Sequence, residues 1–195
     1  MTEIIDLNDR YEEAIERTVS ALKEGKLIIY PTDTVYGIGC DATNESAVNK
    51  LYKVKERNRD KPLSVLVGGL GQIIKYFDIN GEELMYITKY LPGPYTFILK
   101  TKREMPVSKN DKIGVRVPNY VFIRKVALKL GRPIVTTSAN ISGKNPPKSI
   151  YELDEIKDRA DLIINGGTTK EQLPSTVVDI RERKIIRVGA GPFEF

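Results

Sequence analysis

The sequence predicts an α/β fold, with a single domain over residues 1–195 and a twisted, open, mixed β-sheet flanked by helices. Three observations support this prediction. Short apolar runs rich in β-branched residues alternate with amphipathic segments of helical period along most of the chain. Two strand-like segments follow each other near the C-terminus, as in an antiparallel pair. The 195 residues, of which 41% are hydrophobic and 29% charged, can bury a core, and no repeat or linker divides them.

The first half of the chain is predicted to begin with a helix over residues 11–24, because apolar residues recur on one face and Gly25 follows. A buried strand over residues 27–30 ends at Pro31, which cannot donate to a sheet ladder. The other elements predicted in this half are a helix over 45–55, a strand over 63–67 and helical segments over 73–76 and 82–90.

The second half of the chain is predicted to contain mostly strands. Asn119 is expected to cap a helix that ends at residue 130, before Gly131. Ser149 and Glu152 have the spacing of a capping box and predict a helix over residues 149–160. The other segments are strands over 95–100, 113–117, 133–137 and 161–164, a polar loop over 101–111, and a hairpin formed by 176–180 and 184–188.

Small polar residues follow two of the predicted strands. Residues 32–34 come after the first strand and lead into Gly37 and Gly39, which we assign to the same turn, and residues 138–140 come after a later strand. In open α/β sheets, ligands bind at the ends of strands. The two clusters therefore predict a binding site, while tight turns without a ligand are the alternative interpretation.

The residue inventory limits the chemistry of such a site. The chain has no histidine, which excludes Ser-His-Asp and Cys-His catalysis as well as His-ligated zinc. The single cysteine, Cys40, is expected to be an apolar filler in a reducing compartment. A formal net charge of +5 indicates an anionic partner, either nucleotide phosphates or nucleic acid. Chemistry that depends on positioning and charge, such as nucleotidyl transfer, fits this inventory best.

The sequence shows no targeting or membrane signal. The N-terminal residues lack the basic and apolar regions of a signal peptide, and no apolar run approaches the length of a membrane span. We therefore expect a cytoplasmic protein that does not contact the membrane.

A basic connector joins the helix over residues 45–55 to the next strand. It contains Lys53, Lys55, Arg57, Arg59 and Lys61. Cations at a helix end favour the macrodipole, so a solvated helix end is one interpretation. The other is a phosphate clamp, because the charges continue past the helix to a sheet edge. Residues 142–145, S-G-K-N, lack the earlier glycine and the hydroxyl of a phosphate loop, and we assign them no such role.

Several motifs occur together and in order along the chain. They are P-T-D-T-V-Y-G-I-G at 31–39, K-E-R at 55–57, K-P-L at 61–63, P-G-P-Y-T at 92–96, V-R-V-P at 115–118, T-T-S-A-N-I-S-G at 136–143, P-S-T-V-V-D at 174–179 and I-I-R at 185–187. This ordered set, which spans nearly the whole chain, resembles the YrdC-like family, whose best-known members are threonylcarbamoyl-AMP synthases.

The resemblance implies a YrdC-like fold and a nucleotidyltransferase activity. L-threonine, bicarbonate or CO2, and ATP would give threonylcarbamoyl-AMP and pyrophosphate, and the product would pass to the machinery that makes N6-threonylcarbamoyladenosine at position 37 of tRNA. Mg²⁺ would accompany ATP, without a tightly bound metal ligated by the protein.

The resemblance also implies site residues. Catalytic residues would be Lys55, Arg57, Ser138 and Asn140. Threonine would contact Thr32, Arg116, Thr136 and Ser175, and ATP would contact the four catalytic residues together with Lys61 and Arg187. The chain departs from the family pattern at Leu66, where some members have histidine, and at Lys112, where threonine is common. It is also expected to lack the C-terminal domain and linker of the longer synthases.

Two other functions are compatible with the fold. One is a non-catalytic RNA-binding module that contacts tRNA or double-stranded RNA through its basic surface, although the basic connector has few interleaved aromatic residues. The other is a carbamoyl-adenylate-forming module of the hydrogenase-maturation type, whose acylphosphatase and zinc-finger parts do not fit in 195 residues without histidine.

Overall fold

The computed structural model describes residues 2–108 and 110–195, so residue 109 of the predicted polar loop lies outside it. The helices and strands in chain order are β1 (Glu3–Asp6), α1 (Tyr11–Lys23), β2 (Ile28–Tyr30), β3 (Gly37–Gly39), α2 (Glu45–Val54), β4 (Ser64–Leu66), α3 (Leu70–Tyr76), β5 (Phe77–Asp78), α4 (Gly81–Tyr90), β6 (Tyr95–Thr101), β7 (Lys112–Arg116), α5 (Val121–Leu130), β8 (Ile134–Ser138), β9 (Leu162–Asn165), β10 (Thr176–Asp179) and β11 (Lys184–Arg187).

The strands form one mixed sheet. Its order is β1-β9-β2-β3-β8-β4-β7-β6-β10-β11, and β5 pairs with β6 beside this path. The sheet contains parallel pairs, such as β2–β9 and β4–β7, as well as antiparallel pairs, such as β2–β3 and β4–β8. The predicted hairpin is confirmed by the antiparallel pairing of β10 with β11. The predicted α/β fold with a mixed sheet flanked by helices is therefore confirmed.

The sheet separates two hydrophobic clusters, and β2 shows how the sequence builds both. Side chains of a strand alternate between the two faces. Ile28 and Tyr30 pack with α1 and α5 on one face, whereas Leu27 and Ile29 pack with α2 on the other. These residues have no solvent exposure, and a fully buried aliphatic side chain contributes about 1.5–3 kcal/mol to stability. The continuous apolar run before Pro31 thus reflects a strand covered on both faces.

The segment at Gly37–Gly39, predicted as part of a turn, is instead strand β3 between β2 and β8. Its glycines are required by close packing rather than by a turn conformation. A Cβ added at Gly39 would lie 1.9 Å from the carbonyl oxygen of Val135. Strands β1 and β5 were not predicted either, because their short segments carry too few apolar residues to stand out.

Two predicted helix caps are wrong. Helix α5 begins after Tyr120 without a side-chain cap, and the backbone N–H of Asn119 donates to Asp33 instead. The predicted helix over 149–160 forms two short 3-10 turns, Ile150–Glu152 and Asp154–Arg159, on either side of Leu153, and the second begins with the left-handed backbone of Asp154 at φ 46°. Within the described residues, no helix has the length and hydropathy needed to cross a bilayer.

Candidate active site

A cleft of about 270 Å³ lies where the loops after β2 and β8 meet the loop before β10. Several of the predicted site residues line it, although they come from widely separated parts of the chain. These residues are Thr32, Arg57, Arg116, Thr136, Ser138, Asn140, Ser175 and Arg187. The two predicted residues that do not line the cleft are Lys55 and Lys61. The cleft also contains Thr34, which belongs to the polar cluster after β2 that predicted a binding site, together with Thr96 and Lys144, which were not predicted as site residues.

The turn after β2 is held by an ordered set of hydroxyl hydrogen bonds. The hydroxyl of Thr32 donates to the carbonyl oxygen of Val35 at 2.8 Å and accepts from the backbone N–H of Thr34 at 3.1 Å. Because the single hydroxyl proton of Thr32 is used, the hydroxyl of Thr34, 2.9 Å away, must donate to Thr32 Oγ1. Thr32 therefore has no proton left to donate to a ligand in this conformation.

Arg116 and Asp33 form a buried ion pair beside this turn. Nη2 of Arg116 lies 2.6 Å from Oδ1 of Asp33, and the two side chains are 8% and 7% exposed. Nη1 of Arg116 donates to the hydroxyl of Thr34 at 3.1 Å, and the N–H of Asn119 donates to the second oxygen of Asp33 at 2.9 Å. Nε of Arg116 has no hydrogen-bond partner among the described residues. The guanidinium is thus oriented by the protein before any ligand binds.

A second arginine, Arg187, organises the part of the cleft that contains Ser175. Its guanidinium donates to the carbonyl oxygen of Ser175 at 2.7 and 3.0 Å and to the hydroxyl at 3.2 Å. The Ser175 hydroxyl also lies 2.8 Å from that of Thr96. Burial, together with the charge of Arg116, lowers the pKa of Arg187 below its ordinary value. Two arginines close enough to influence each other would favour a bound anion.

Lys55 occupies a different place from the one expected. It was predicted to face the phosphates of ATP, but only 2% of it is exposed. Its Nζ donates to the backbone carbonyl oxygens of Ser138 and Asn140, at 2.5 and 2.7 Å. Burial, assisted by the charge of Arg57, lowers the pKa of Lys55 to about 7. Lys55 therefore holds the loop after β8 from behind.

Apart from the buried Lys55, the basic connector divides into a residue at the cleft and residues in solvent. Arg57 lines the cleft and donates to the backbone carbonyl oxygens of Lys61 and Pro62, at 3.1 and 3.0 Å. The side chain of Lys61 is exposed and lies away from the cleft lining. Lys50, which is also exposed, pairs with Asp161 at 2.8 Å. A direct phosphate contact by Lys61 has no support in this arrangement and stays a prediction.

Asn140 carries an unused acceptor at the cleft. Its side-chain amide donates to the carbonyl oxygens of Ile141 and Lys144, at 2.9 and 2.7 Å. Its Oδ1 is buried and has no hydrogen-bond partner among the described residues. A buried acceptor without a partner lowers the stability of the fold unless a donor or a cation of a ligand contacts it. Lys144 lines the cleft and pairs with Glu155, so the segment dismissed as a phosphate loop still supplies a cation.

The residues that depart from the family pattern lie outside the cleft. Leu66 is fully buried in the cluster formed with α1 and α5. Lys112 forms ion pairs with Asp179 and Glu182, at 3.5 and 3.1 Å. Within the described chain, no group of three or more His, Cys, Asp or Glu side chains could hold a metal ion.

Comparisons with known proteins agree with the motifs. The Sua5/YciO/YrdC family model, described as telomere recombination, matches residues 20–189. A putative threonylcarbamoyl-AMP synthase of Methanocaldococcus jannaschii is 40% identical, covering 96% of this chain and 92% of that protein, and threonylcarbamoyl-AMP synthase of Vibrio vulnificus is 30% identical, covering 90% and 98%.

A solved structure shows the same fold. The crystal structure of P. abyssi Sua5 complexed with L-threonine is 32% identical, with a TM-score of 0.89. The match covers 97% of this chain and 57% of that one, so the present chain spans little more than half of that Sua5 chain. Because the family model covers most of the chain and the M. jannaschii protein matches nearly all of it, the protein belongs to the Sua5/YciO/YrdC family.

Proposed function

We propose that this protein is a threonylcarbamoyl-AMP synthase, a nucleotidyltransferase that uses L-threonine, bicarbonate or CO2, and ATP. The observation that carries the proposal is the convergence of hydroxyl and guanidinium groups from distant parts of the chain on one cleft. The names of the M. jannaschii and V. vulnificus relatives and the L-threonine complex of P. abyssi Sua5 support it.

The reaction brings anionic groups together. The amine of threonine adds to CO2 and loses a proton, which gives a carbamate. A carbamate oxygen then forms a bond to the α-phosphorus of ATP while the bond to pyrophosphate breaks. Cationic donors must hold the carbamate and the phosphates against their mutual repulsion. Arg57, Arg116, Arg187 and Lys144 line the cleft and supply this charge.

We assign the two substrates to different sides of the cleft. Threonine would bind near Arg116, Thr136 and Ser175, because a guanidinium can donate two parallel hydrogen bonds to the substrate carboxylate. The phosphates would bind near Arg57 and Ser138. Lys55 would act from behind, since its Nζ holds the carbonyl oxygens of the loop that carries Ser138.

Mg²⁺ would enter the site with ATP. It prefers oxygen ligands, keeps several waters and is usually bound through substrate phosphates with few protein groups. The buried, unpartnered Oδ1 of Asn140 fits this requirement, because an amide oxygen is a suitable ligand. The ion would neutralise part of the phosphate charge. Arg57 and Ser138 would orient the same phosphates through their N–H and O–H groups.

The remaining assignments concern the cell. We infer that the chain acts as one YrdC-like domain in the cytoplasm and that its product passes to the tRNA threonylcarbamoyl-transfer machinery. The RNA-module alternative has less support. The basic connector offers no row of aromatic side chains on which RNA bases could stack. The ring of Tyr52, in α2 just before the connector, is covered by Arg59, whose guanidinium carbon lies 4.6 Å from the ring centre.

A pyrophosphate-release assay tests the proposal. We expect release from ATP to require L-threonine and bicarbonate together, because the carbamate is the nucleophile. Serine and glycine should give much less release, since each lacks the threonine methyl group. Equal release with all three amino acids, or none with any, would refute the synthase assignment.

A further inference from the structure

We propose that Asp33 is a positioning residue for threonine recognition, which it supports by fixing the guanidinium of Arg116 toward the cleft. This inference rests on the proposed function, because it assumes that Arg116 binds the carboxylate of L-threonine. Asp33 lies in the turn after β2 but does not line the cleft. Arg116 does line it, and Asp33 therefore reaches the guanidinium from behind.

Both oxygens of the Asp33 carboxylate are committed to protein donors. Oδ1 accepts from Arg116 Nη2 at 2.6 Å, and Oδ2 accepts from the backbone N–H of Asn119 at 2.9 Å. The Asn119 contact fixes the carboxylate relative to the segment that follows β7, the strand that carries Arg116. With both oxygens engaged behind Arg116, Asp33 is placed to orient that residue rather than to take a proton from substrate.

The guanidinium is held at a second point by the ordered hydroxyls. Nη1 of Arg116 donates to Thr34, and Thr34 donates in turn to Thr32. Two different partners, one on each terminal nitrogen, fix the plane of the guanidinium. An arginine side chain loses substantial rotamer entropy when it is immobilised. Because Asp33 and Thr34 immobilise the Arg116 side chain when the protein folds, this loss of entropy does not oppose threonine binding.

The charges around the cleft agree with a position of Asp33 outside the cleft lining. Among its described lining residues, the cleft has arginines and a lysine but no carboxylate. A carboxylate in the lining would repel the substrate carboxylate and the phosphates. Asp33 avoids this because Arg116 stands between it and the cleft. The pair thus offers N–H donors whose orientation is fixed in the buried site before substrate binds.

Calorimetric titration of Asp33→Asn with L-threonine and, separately, with ATP tests the proposal. Asparagine preserves the shape but removes the charge that fixes Arg116. We expect the threonine Kd to rise about tenfold to a hundredfold, as for loss of a charge-assisted hydrogen bond. The ATP Kd should stay near the wild-type value. Unchanged threonine affinity, or equal losses for both ligands, would overturn the proposal.

The matched control is Asp41→Asn. Asp41 is also a buried carboxylate paired with an arginine, Arg132, at 2.7 Å, but it lies outside the cleft lining. This variant should lower stability without changing threonine affinity. A similar loss of threonine affinity in Asp41→Asn would mean that any buried ion pair matters, and would contradict a specific role for Asp33.

A double-mutant cycle identifies the partner through which Asp33 acts. In an Arg116→Gln background, Asp33→Asn should cause little further loss of threonine affinity, because the group that it positions is gone. Additive losses would overturn the proposal. If the wild-type protein does not bind threonine, the proposed function itself fails; if it binds and Asp33→Asn binds equally well, only the present inference fails.

A measurement on the wild-type protein covers the case in which Asp33→Asn does not fold. The measurement is NMR of protein labelled with ¹⁵N-arginine. The signals of Arg116 are identified as those that are missing from the spectrum of the Arg116→Lys variant. A guanidinium held at both terminal nitrogens rotates slowly, so separate Nη–H signals are expected before threonine is added. A single rotationally averaged Nη signal from Arg116 in the free protein would overturn the proposal.

Discussion

Among single residues, Lys55 shows how a buried charge can shape a binding loop. Its ammonium group holds the carbonyl oxygens of Ser138 and Asn140, and the N–H of Ser142 donates to the carbonyl oxygen of Lys55 itself. Lys55 was identifiable through its motif, but it was expected to face the nucleotide phosphates rather than to be buried. Composition and periodicity could not reveal its burial, because the acceptors are backbone atoms more than 80 residues away along the chain.

This burial predicts a pH dependence of stability. The pKa of Lys55 is about 7 in the folded protein, whereas an unfolded lysine has a pKa of about 10.4. Between these values the unfolded chain binds more protons, so the free energy of unfolding should rise with pH, by at most about 1.4 kcal/mol per unit. Below pH 7 both states are protonated, and this contribution is absent.

Denaturant unfolding of wild type and Lys55→Met between about pH 6 and 9 measures the effect. The free energy of unfolding of wild type should increase relative to that of the variant as pH rises above 7. Lys53→Met is the control, because Lys53 is exposed in the last turn of α2, two residues before Lys55. The plot of its free energy of unfolding against pH should run parallel to that of wild type. Parallel curves for wild type and Lys55→Met would contradict the prediction.

Among secondary-structure elements, β3 differs most from the sequence expectation. Gly37, Ile38 and Gly39 looked like part of a turn because glycine weakens strands. In the structure, β3 packs between β2 and β8, so its backbone must approach Val135 more closely than a side chain allows. Elements with strong periodicity, such as α1 and α2, were predictable from local sequence. An element defined by its neighbours was not.

The tight packing of β3 predicts a large effect of Gly39→Ala. The new Cβ would lie 1.9 Å from the carbonyl oxygen of Val135, so the β3–β8 pairing must shift. We expect a loss of about 1–3 kcal/mol or more in the free energy of unfolding, as for overpacked cores. Gly71→Ala, within α3 and with no atom within 4 Å of the new Cβ, should be neutral or slightly stabilising. Thermal and denaturant unfolding measure both, and similar effects would contradict the packing argument.

In the whole molecule, the candidate site depends on a strand order that the sequence analysis did not predict. The ordered motifs identified eight residues that line one cleft, yet they belong to segments from residue 32 to residue 187. Local patterns specify which segments are strands, whereas their order depends on how all the buried faces pack together. The motif resemblance supplied the grouping, and the positions of Asp33, Lys55 and Lys61 required the structure.

The C-terminal segment connects this architecture to the cleft. The N–H of Ala190 donates to the carbonyl oxygen of Pro174 at 2.9 Å, and the hydroxyl of Thr176 donates to Gly191 at 2.5 Å. Phe193 then packs among aromatic rings of α4 and β6, with centroids 4.7 Å from Tyr90 and 5.5 Å from Tyr86. These contacts fix the segment that carries Ser175, which lines the cleft.

We therefore predict that Phe193→Ala weakens threonine binding although Phe193 lies outside the cleft lining. Losing this half-buried ring should reduce the free energy of unfolding by about 1–3 kcal/mol. It should also raise the threonine Kd, since the segment before β10 would be less firmly held. Tyr151→Ala, which removes an aromatic ring that is 89% exposed, should change neither quantity. Calorimetric titration and denaturant unfolding of both variants measure the two effects. If Phe193→Ala loses stability but keeps wild-type threonine affinity, the aromatic cluster supports the fold without positioning Ser175.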